Sequence, residues 1–336
     1  MTRSSFDVVI VSDFSDQNLN RFETLTLFFL ASWLEFGGSS RELPLHIACI
    51  GDPPDTVKSL AGECNALISI HSPLLFGGFA NKLRGFDVDR KTDHLLLLDS
   101  DMLILSSIHQ LLEVLGENCI SASATNGPCI VPPKEWREVH EMLSIPYPEQ
   151  QVVPLNKEVD CFLSLPYRDW EFFPPYYNGG IVFSPWDSGL GEIWRGHLIK
   201  ITEVAERKAK RSNQPSLCTA ITYLQTKGVN FQLLPDEYHV RWQHIASGAV
   251  TSKNAKLMHT IGFGRWPSKG EEPTAKQDIN AYRNNILKST IQFHSHHSIA
   301  LQLFHRTLQY RQIRDCYRVY ETLHLLYKKY VQHYKQ

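Results

Sequence analysis

The chain has 336 residues, 43% hydrophobic and 11% aromatic, which excludes an intrinsically disordered polymer and is ample for a large core. Its 34 basic residues nearly cancel 35 acidic ones, so no whole-protein field draws it toward nucleic acid. Seven cysteines, an odd number with no Cys-x-x-Cys, fit the reduced thiols of a cytoplasmic protein better than a disulfide framework.

Met1 to Val11 lacks the long apolar region of a signal peptide. Phe6 to Val11 reads as a first strand. Asn20 heads a helix, with Glu23 completing a capping box, Leu25, Phe29, Trp33 and Phe36 at helical spacing, and Gly37 as the stop. The most apolar part of that helix, Leu25 to Leu34, falls well short of the roughly 20 residues that span a bilayer; peripheral membrane contact stays open. Leu43 to Ile50 and Ala66 to Ile70 read as strands, and Asn81 to Phe86 as a short helix. Leu95 to Leu98 is a strand apolar on both faces, as in the middle of a parallel sheet. Ser107 opens a helix with Gln110 in its cap and Gly116 at its end, and Cys119 to Ala122 is the next strand. From about 128 to 175 the pattern breaks into an irregular insertion rich in Pro, Tyr and Trp, whose paired aromatics, Phe172-Phe173 and Tyr176-Tyr177, read equally as acceptor stacking or packing. Regularity returns with a strand at Ile181 to Phe183, helices at Glu192 to Arg211 and Ser216 to Thr226, and strands at Phe231 to Leu234 and Lys256 to Thr260. From Asp278 onward the chain reads as helical. The alternation predicts an α/β fold with a mostly parallel sheet flanked by helices.

The chemistry concentrates where the leucine strand ends, at Asp99-Ser100-Asp101. Ligands of open α/β sheets bind at the carboxyl edge of the strands. Two carboxylates two residues apart share one side of an extended chain and can address one hard cation, here a Mn2+ or Mg2+ ion holding a diphosphate. A dehydrogenase would need Gly-x-Gly-x-x-Gly after the first strand and a P-loop kinase its lysine-bearing loop; neither is present.

These segments, taken in order, resemble GT-A fold glycosyltransferases, and most closely glycosyltransferase family 8, the group of glycogenin and galactinol synthase. Val8 to Asp13 resembles the strand and loop that hold the nucleotide base. Asn81-Lys82-Leu83-Arg84-Gly85-Phe86 resembles the Lys-Leu-Arg segment, and Leu97 to Leu105 the Asp-x-Asp strand. Tyr177 to Phe183 resembles the acceptor-side strand, Asn213-Gln214-Pro215-Ser216-Leu217 the Asp-Gln helix start, and Leu257 to Gly262 the late His-x-x-Gly. Two departures stand out. Asn213 occupies the position where the family usually has Asp, and Gly264-Arg265-Trp266-Pro267 replaces the usual Lys-Pro-Trp order.

The resemblance runs from about Phe6 to Pro267 and implies a GT-A domain over 1–267; the remainder, 268–336, reads from its own residues as a helical C-terminal extension. It implies a metal-dependent hexosyltransferase that moves a sugar, with retention, from a nucleotide diphosphate sugar, a uridine diphosphate sugar in this family, to a hydroxyl of a sugar, sugar alcohol, lipid or protein. Asp99, Asp101 and His259 would hold the metal. Val11, Ser12, Asp13, Lys82, Arg84, Ser100, Asn126, Gly179, Gly180, Gly262 and Arg265 would contact the donor. Gln214, Asn213 and Asn178 would act at the reacting centre. An amide is a poor nucleophile, so Gln214 favours displacement on the same face over a covalent intermediate. The plainer readings stay open beside these: Asp13 and Asn126 as turn residues, Lys82 and Arg84 as a solvated helix face, Asn178-Gly179-Gly180 as a turn, and Gln214 as an ordinary helix start before Pro215. His294-Ser295-His296-His297 reads as surface. The C-terminal helices pack on the core, join two copies in a homodimer, or lie on a membrane. A non-catalytic sugar-nucleotide-binding protein and a sugar nucleotidyltransferase are the competing functions.

Overall fold

The computed structural model describes residues 5–74, 77–124, 133–147, 177–204, 213–240, 250, 253–259 and 329. Its spine is a seven-stranded sheet in the order β3-β2-β1-β4-β7-β6-β8. The strands are β1 (Asp7–Asp13), β2 (Leu45–Ile50), β3 (Leu67–His71), β4 (His94–Asp99), β6 (Cys119–Ala124), β7 (Tyr177–Pro185) and β8 (Asn230–Leu233). Only β7 runs against its neighbours; all the other pairings are parallel. Two short strands, β5 (Met102–Ile104) and β9 (Leu257–His259), form a separate antiparallel ribbon. The helices are α1 (Leu19–Phe36), α2 (Asp55–Glu63), α3 (Leu111–Leu115), α4 (Pro133–Met142), α5 (Leu190–Val204) and α6 (Asn213–Thr226). The mostly parallel α/β class expected from the alternation is what the chain adopts.

The sheet is buried on both faces, which is why its central strands carry no polar alternation. Leu96 and Leu98 belong to the core on one side, with α1, and Leu95 and Leu97 to the core on the other, with α5 and α6. Each buried leucine contributes roughly 2 kcal/mol relative to exposure. Among the described residues no helix is long and apolar enough to cross a membrane. Cys49, Cys64, Cys119 and Cys218 are buried free thiols, and burial pushes Cys49 and Cys64 up to about 12. Of the C-terminal stretch, Lys329 is described, and its ammonium pairs with Glu35 near the end of α1.

Several local expectations need correction. The capping box at Asn20 does not form: α1 starts at Leu19, and no side chain caps its N-terminus. Glu23 instead accepts a hydrogen bond from Thr56, and Asn18 turns toward Asp13 and Ser15. The helix read from Ser107 begins only at Leu111; the Ser107 hydroxyl pairs with Ser39 and Ser40 and accepts from the His109 amide at 3.4 Å. The irregular insertion contains a helix, α4. Asn178, Gly179 and Gly180 are no turn before a strand; they lie inside β7. The segment around Lys82 is a 3-10 helix over Gly78–Asp87. It sits directly on the sheet because Gly85 has no side chain: a Cβ there would collide with Leu97 and press on Val9 and Val11.

One carboxylate ties the amino end of the sheet together. Asp7 is fully buried. Its Oδ1 lies 3.3 Å from His46 Nε2 on β2, and its Oδ2 accepts from the amides of Lys91 (2.9 Å) and Thr92 (3.2 Å) and from the Trp186 indole (3.1 Å). Burial by itself would raise the Asp7 pKa. The His46 contact and the two amides outweigh it and hold the carboxyl below its ordinary value. A depressed carboxyl stabilises the fold fully above its unfolded value, near 4, and that contribution is lost as the pH falls through the lower folded value. We predict that Asp7→Asn costs about 2 kcal/mol in urea denaturation at neutral pH, since it leaves buried donors unmatched. The gap between variant and wild type narrows on acidification to about pH 3. An equal gap at both pH values would disprove this account of the residue.

Candidate functional site

Sheet register builds a polar cluster at the carboxyl edge of β1 and β4. Val11 pairs with Asp99 across these parallel strands, so both strands end side by side. The chain turns at Ser100 and Asp101 and enters β5 at once. There Met102 pairs with His259 of β9, which sets the imidazole beside the residue just before Met102. His259 Nε2 stands 3.1 Å from Asp101 Oδ1 and 3.9 Å from Asp99 Oδ2. One donor atom from each of the three residues lies within 4.8 Å of the others. Burial works to raise the Asp101 carboxyl. The hydrogen bond and charge of His259, with the charges of Lys82 and Arg21, overcome it and hold the group below its ordinary value, so Asp101 is an anion at neutral pH. The α1 helix supports the ribbon through Ser32, whose hydroxyl accepts from the Ile104 amide at 3.0 Å.

Strand β7 closes the cluster from the other side. It pairs antiparallel with β4 up to Leu98 and Ile181, which brings Gly180 alongside Asp99. Against β6 the register jumps: Ala122 pairs with Val182, but Ser123 with Asn178. The bulge re-aims this end of the strand, a common device beside functional sites. The Asn178 side chain folds back so that its Oδ1 accepts from the Gly180 amide at 2.6 Å. A Cβ on Gly180 would meet His259 Cε1 at 2.6 Å, Asn178 Oδ1 at 2.7 Å and Asp99 Oδ2 at 2.9 Å. Glycine is required here for space, not for an unusual φ.

Lys82 enters from the 3-10 helix. Its ammonium pairs with Asp99 Oδ1 and donates to the Gly179 carbonyl at 2.6 Å. Asp13 anchors that helix. Its Oδ2 accepts from Asn81 and Asn18, both at 3.2 Å, and its Oδ1 from the amide and hydroxyl of Ser15. The Ser12 hydroxyl is paired with Thr26, 2.7 Å away inside the core, and Val11 and Ser100 are buried. Arg84 does not reach the cluster: its guanidinium is turned to Asp87 and to Ser72. Asn213 and the half-buried Gln214 open α6. The Asn213 carbonyl accepts from the indole of Trp194 at 3.2 Å, and the Trp194 ring in turn lies against Gly179. Asn126, Gly262, Arg265 and the His294 tract lie outside the described residues. Gly180 as a spacer and Trp194 as a brace escaped the sequence reading. A glycine pair inside a strand is the signal that pointed toward the first; nothing local marks the second.

A model of the Rhodobacterales glycosyltransferase domain matches residues 78–221. This identifies a glycosyltransferase domain in the chain, and with it an enzyme of the transferase class. The match spans Lys82, Asp99, Asp101, Gly180 and Gln214 and stops before His259. No curated protein matches the sequence. Among solved structures, mouse xyloside xylosyltransferase 1 in its apo form aligns with 12% identity over 78% of this chain and 100% of that one, at a TM-score of 0.47. The galactosyltransferase LgtC, in complex with donor and acceptor sugar analogues, aligns with 13% identity over 84% of this chain and 96% of its own, at 0.45. Core-mannan synthase A from Aspergillus fumigatus, in an Mn/GDP form, aligns with 7% identity over 68% and 72%, at 0.44.

The two glycines make separable predictions. Gly180→Ala should destabilise the fold by about 1–3 kcal/mol, the usual cost of overpacking. Gly179→Ala, whose Cβ meets nothing closer than 3.6 Å, should stay within about 0.5 kcal/mol of wild type. Thermal melting of both variants checks this; equal melting points would refute the crowding at Gly180.

Proposed function

We propose that the chain is a retaining, metal-dependent glycosyltransferase of the family 8 kind, with a uridine diphosphate sugar as donor and a hydroxyl as acceptor. One observation carries the reading: two carboxylates and an imidazole converge at the carboxyl edge of the sheet, inside a chain that holds a glycosyltransferase domain. The donor set suits a small divalent cation. Carboxylate oxygens fit a hard ion, and the imidazole nitrogen favours Mn2+ somewhat over Mg2+. One donor atom from each of the three residues lies within 4.8 Å of the others, a spacing one such ion can bridge. Asp99, Asp101 and His259 would hold it, and it would draw off charge as the donor's diphosphate departs.

The chain's own residues do the rest. Lys82 keeps Asp99 oriented and adds a second positive charge facing the phosphates. The Asp13–Asn81 bond fixes the helix that carries Lys82. Asn178 holds the β7 bulge in shape, so that β7 backbone at Gly179 and Gly180 can come close to the donor sugar. Gln214, at the start of α6, sets its amide carbonyl toward the anomeric carbon, where positive charge grows as the bond to phosphate breaks. The acceptor oxygen bonds to that carbon on the same face, and its proton passes to the departing phosphate oxygen. Because that oxygen takes the proton, no side-chain base is required. Arg265, further along the chain, would supply a bidentate cation to the phosphates.

A panel of nucleotide sugars, incubated with the purified chain and Mn2+ and followed by NMR, tests the assignment. We expect slow hydrolysis of one uridine diphosphate sugar, released first as the anomer of the donor and suppressed by a chelator. Asp101→Asn should lower that rate at least about a hundredfold, the scale of losing a group that stabilises developing charge. Unchanged hydrolysis in the variant, or in the chelator, would remove the metal from the reading.

A further inference from the structure

Behind His259 stands a second imidazole. His239 Nε2 lies 2.9 Å from His259 Nδ1, and the two rings are tilted by 50° with centroids 5.1 Å apart. Both are buried, at 1% and 4% exposure, so solvent does not compete for this bond. The backbone on either side is pinned to β9. Val240 donates to the Leu257 carbonyl at 2.8 Å, the His259 amide donates to the Val240 carbonyl at 2.8 Å, and the Lys256 amide donates to Glu237 at 2.7 Å. Val240 also bridges to Met258. The His239 ring is therefore held in place from both sides along the chain, and its contact with His259 is no accident of a loose side chain.

We infer that His239 is a positioning residue for the cation site: it fixes the orientation and tautomer of His259. The inference rests on reading Asp99, Asp101 and His259 as that site. His259 points Nε2 at both carboxylates, so with a cation held between them Nε2 is the atom that would give it a lone pair. A neutral imidazole with a free Nε2 carries its proton on Nδ1. In the ion-loaded site His239 Nε2, 2.9 Å away, would accept that proton. Imidazole ligands generally have their second nitrogen tied to a partner in this way, and loss of the partner weakens metal binding by about 10–100-fold. A carboxylate or a carbonyl is the usual partner; here a second histidine takes the place, a neutral acceptor that adds no negative charge behind the ligand. Nothing in the order of the sequence marks His239. It reaches the site only because the chain after β8 returns along β9.

The test uses Mn2+ alone, titrated into the full chain and followed by loss of the free-ion EPR signal. Wild type should bind. His239→Phe keeps a flat ring but has no acceptor, and should bind about 10–100-fold more weakly. His239→Gln, whose carbonyl oxygen can replace Nε2, should return close to wild type. A phenylalanine variant that binds as tightly as wild type overturns the inference and leaves the cation reading intact. A wild type that leaves the Mn2+ signal untouched ends the cation reading itself, and this inference with it. Should His239→Phe not fold, imidazole nitrogen NMR of the wild type loaded with Cd2+ decides. A Cd2+ coupling to His259 Nε2, with a coupling through the shared proton between His259 Nδ1 and His239 Nε2, supports the assignment. Cd2+ on Nδ1, or a proton on Nε2, overturns it.

Discussion

The site depends on one pairing, that of Met102 with His259 in the small antiparallel ribbon. Parallel strands alone deliver Asp99 to the edge of the sheet, but they cannot face it with a ligand from elsewhere. The chain solves this by turning at once after Asp99 into β5 and laying β9 against it. Side chains in a ribbon alternate faces, so a slip of one residue would send His259 away from the carboxylates. Ser32 and the strand-like run through Val240 both hold this register. The geometry of the cluster thus follows from backbone hydrogen bonds rather than from attraction between its charged members.

A second constraint is steric. The cluster is crowded enough that β7 can pass only as glycine at residue 180. The antiparallel direction of β7 supplies that contact: its early residues, and not its end, meet the carboxyl edge of β4. The bulge between β6 and β7 then turns the strand so that Asn178 can bond the Gly180 amide. Crowding by backbone is an economical way to shape a polar site, because backbone does not change rotamer.

Much of this was legible in the sequence, for identifiable reasons. The four leucines gave away a doubly buried strand and the two carboxylates after them its polar end, since apolar run and position speak for themselves. The alternation of strands and helices gave the α/β class. Strand direction was not legible: Ile181 to Phe183 reads the same whichever way it runs, so the consequence for Gly180 was hidden. The capping box at Asn20 failed because its Glu23 found a tertiary partner in Thr56, and the Ser107 hydroxyl is shared with Ser39 and Ser40. The α4 helix was masked by proline and aromatic composition on either side of it. His239 could not be picked from 15 histidines, because its role comes from a contact with a strand still to come in the chain.

The ribbon joining residues 102 and 259 also orders events in time. During synthesis, every strand of the large sheet has left the ribosome once Leu233 is out, and domains tend to fold as they emerge. The imidazole arrives later. A nascent chain can therefore own both carboxylates and still lack their third companion, so the three-residue cluster closes only after the strands of the main sheet have all emerged.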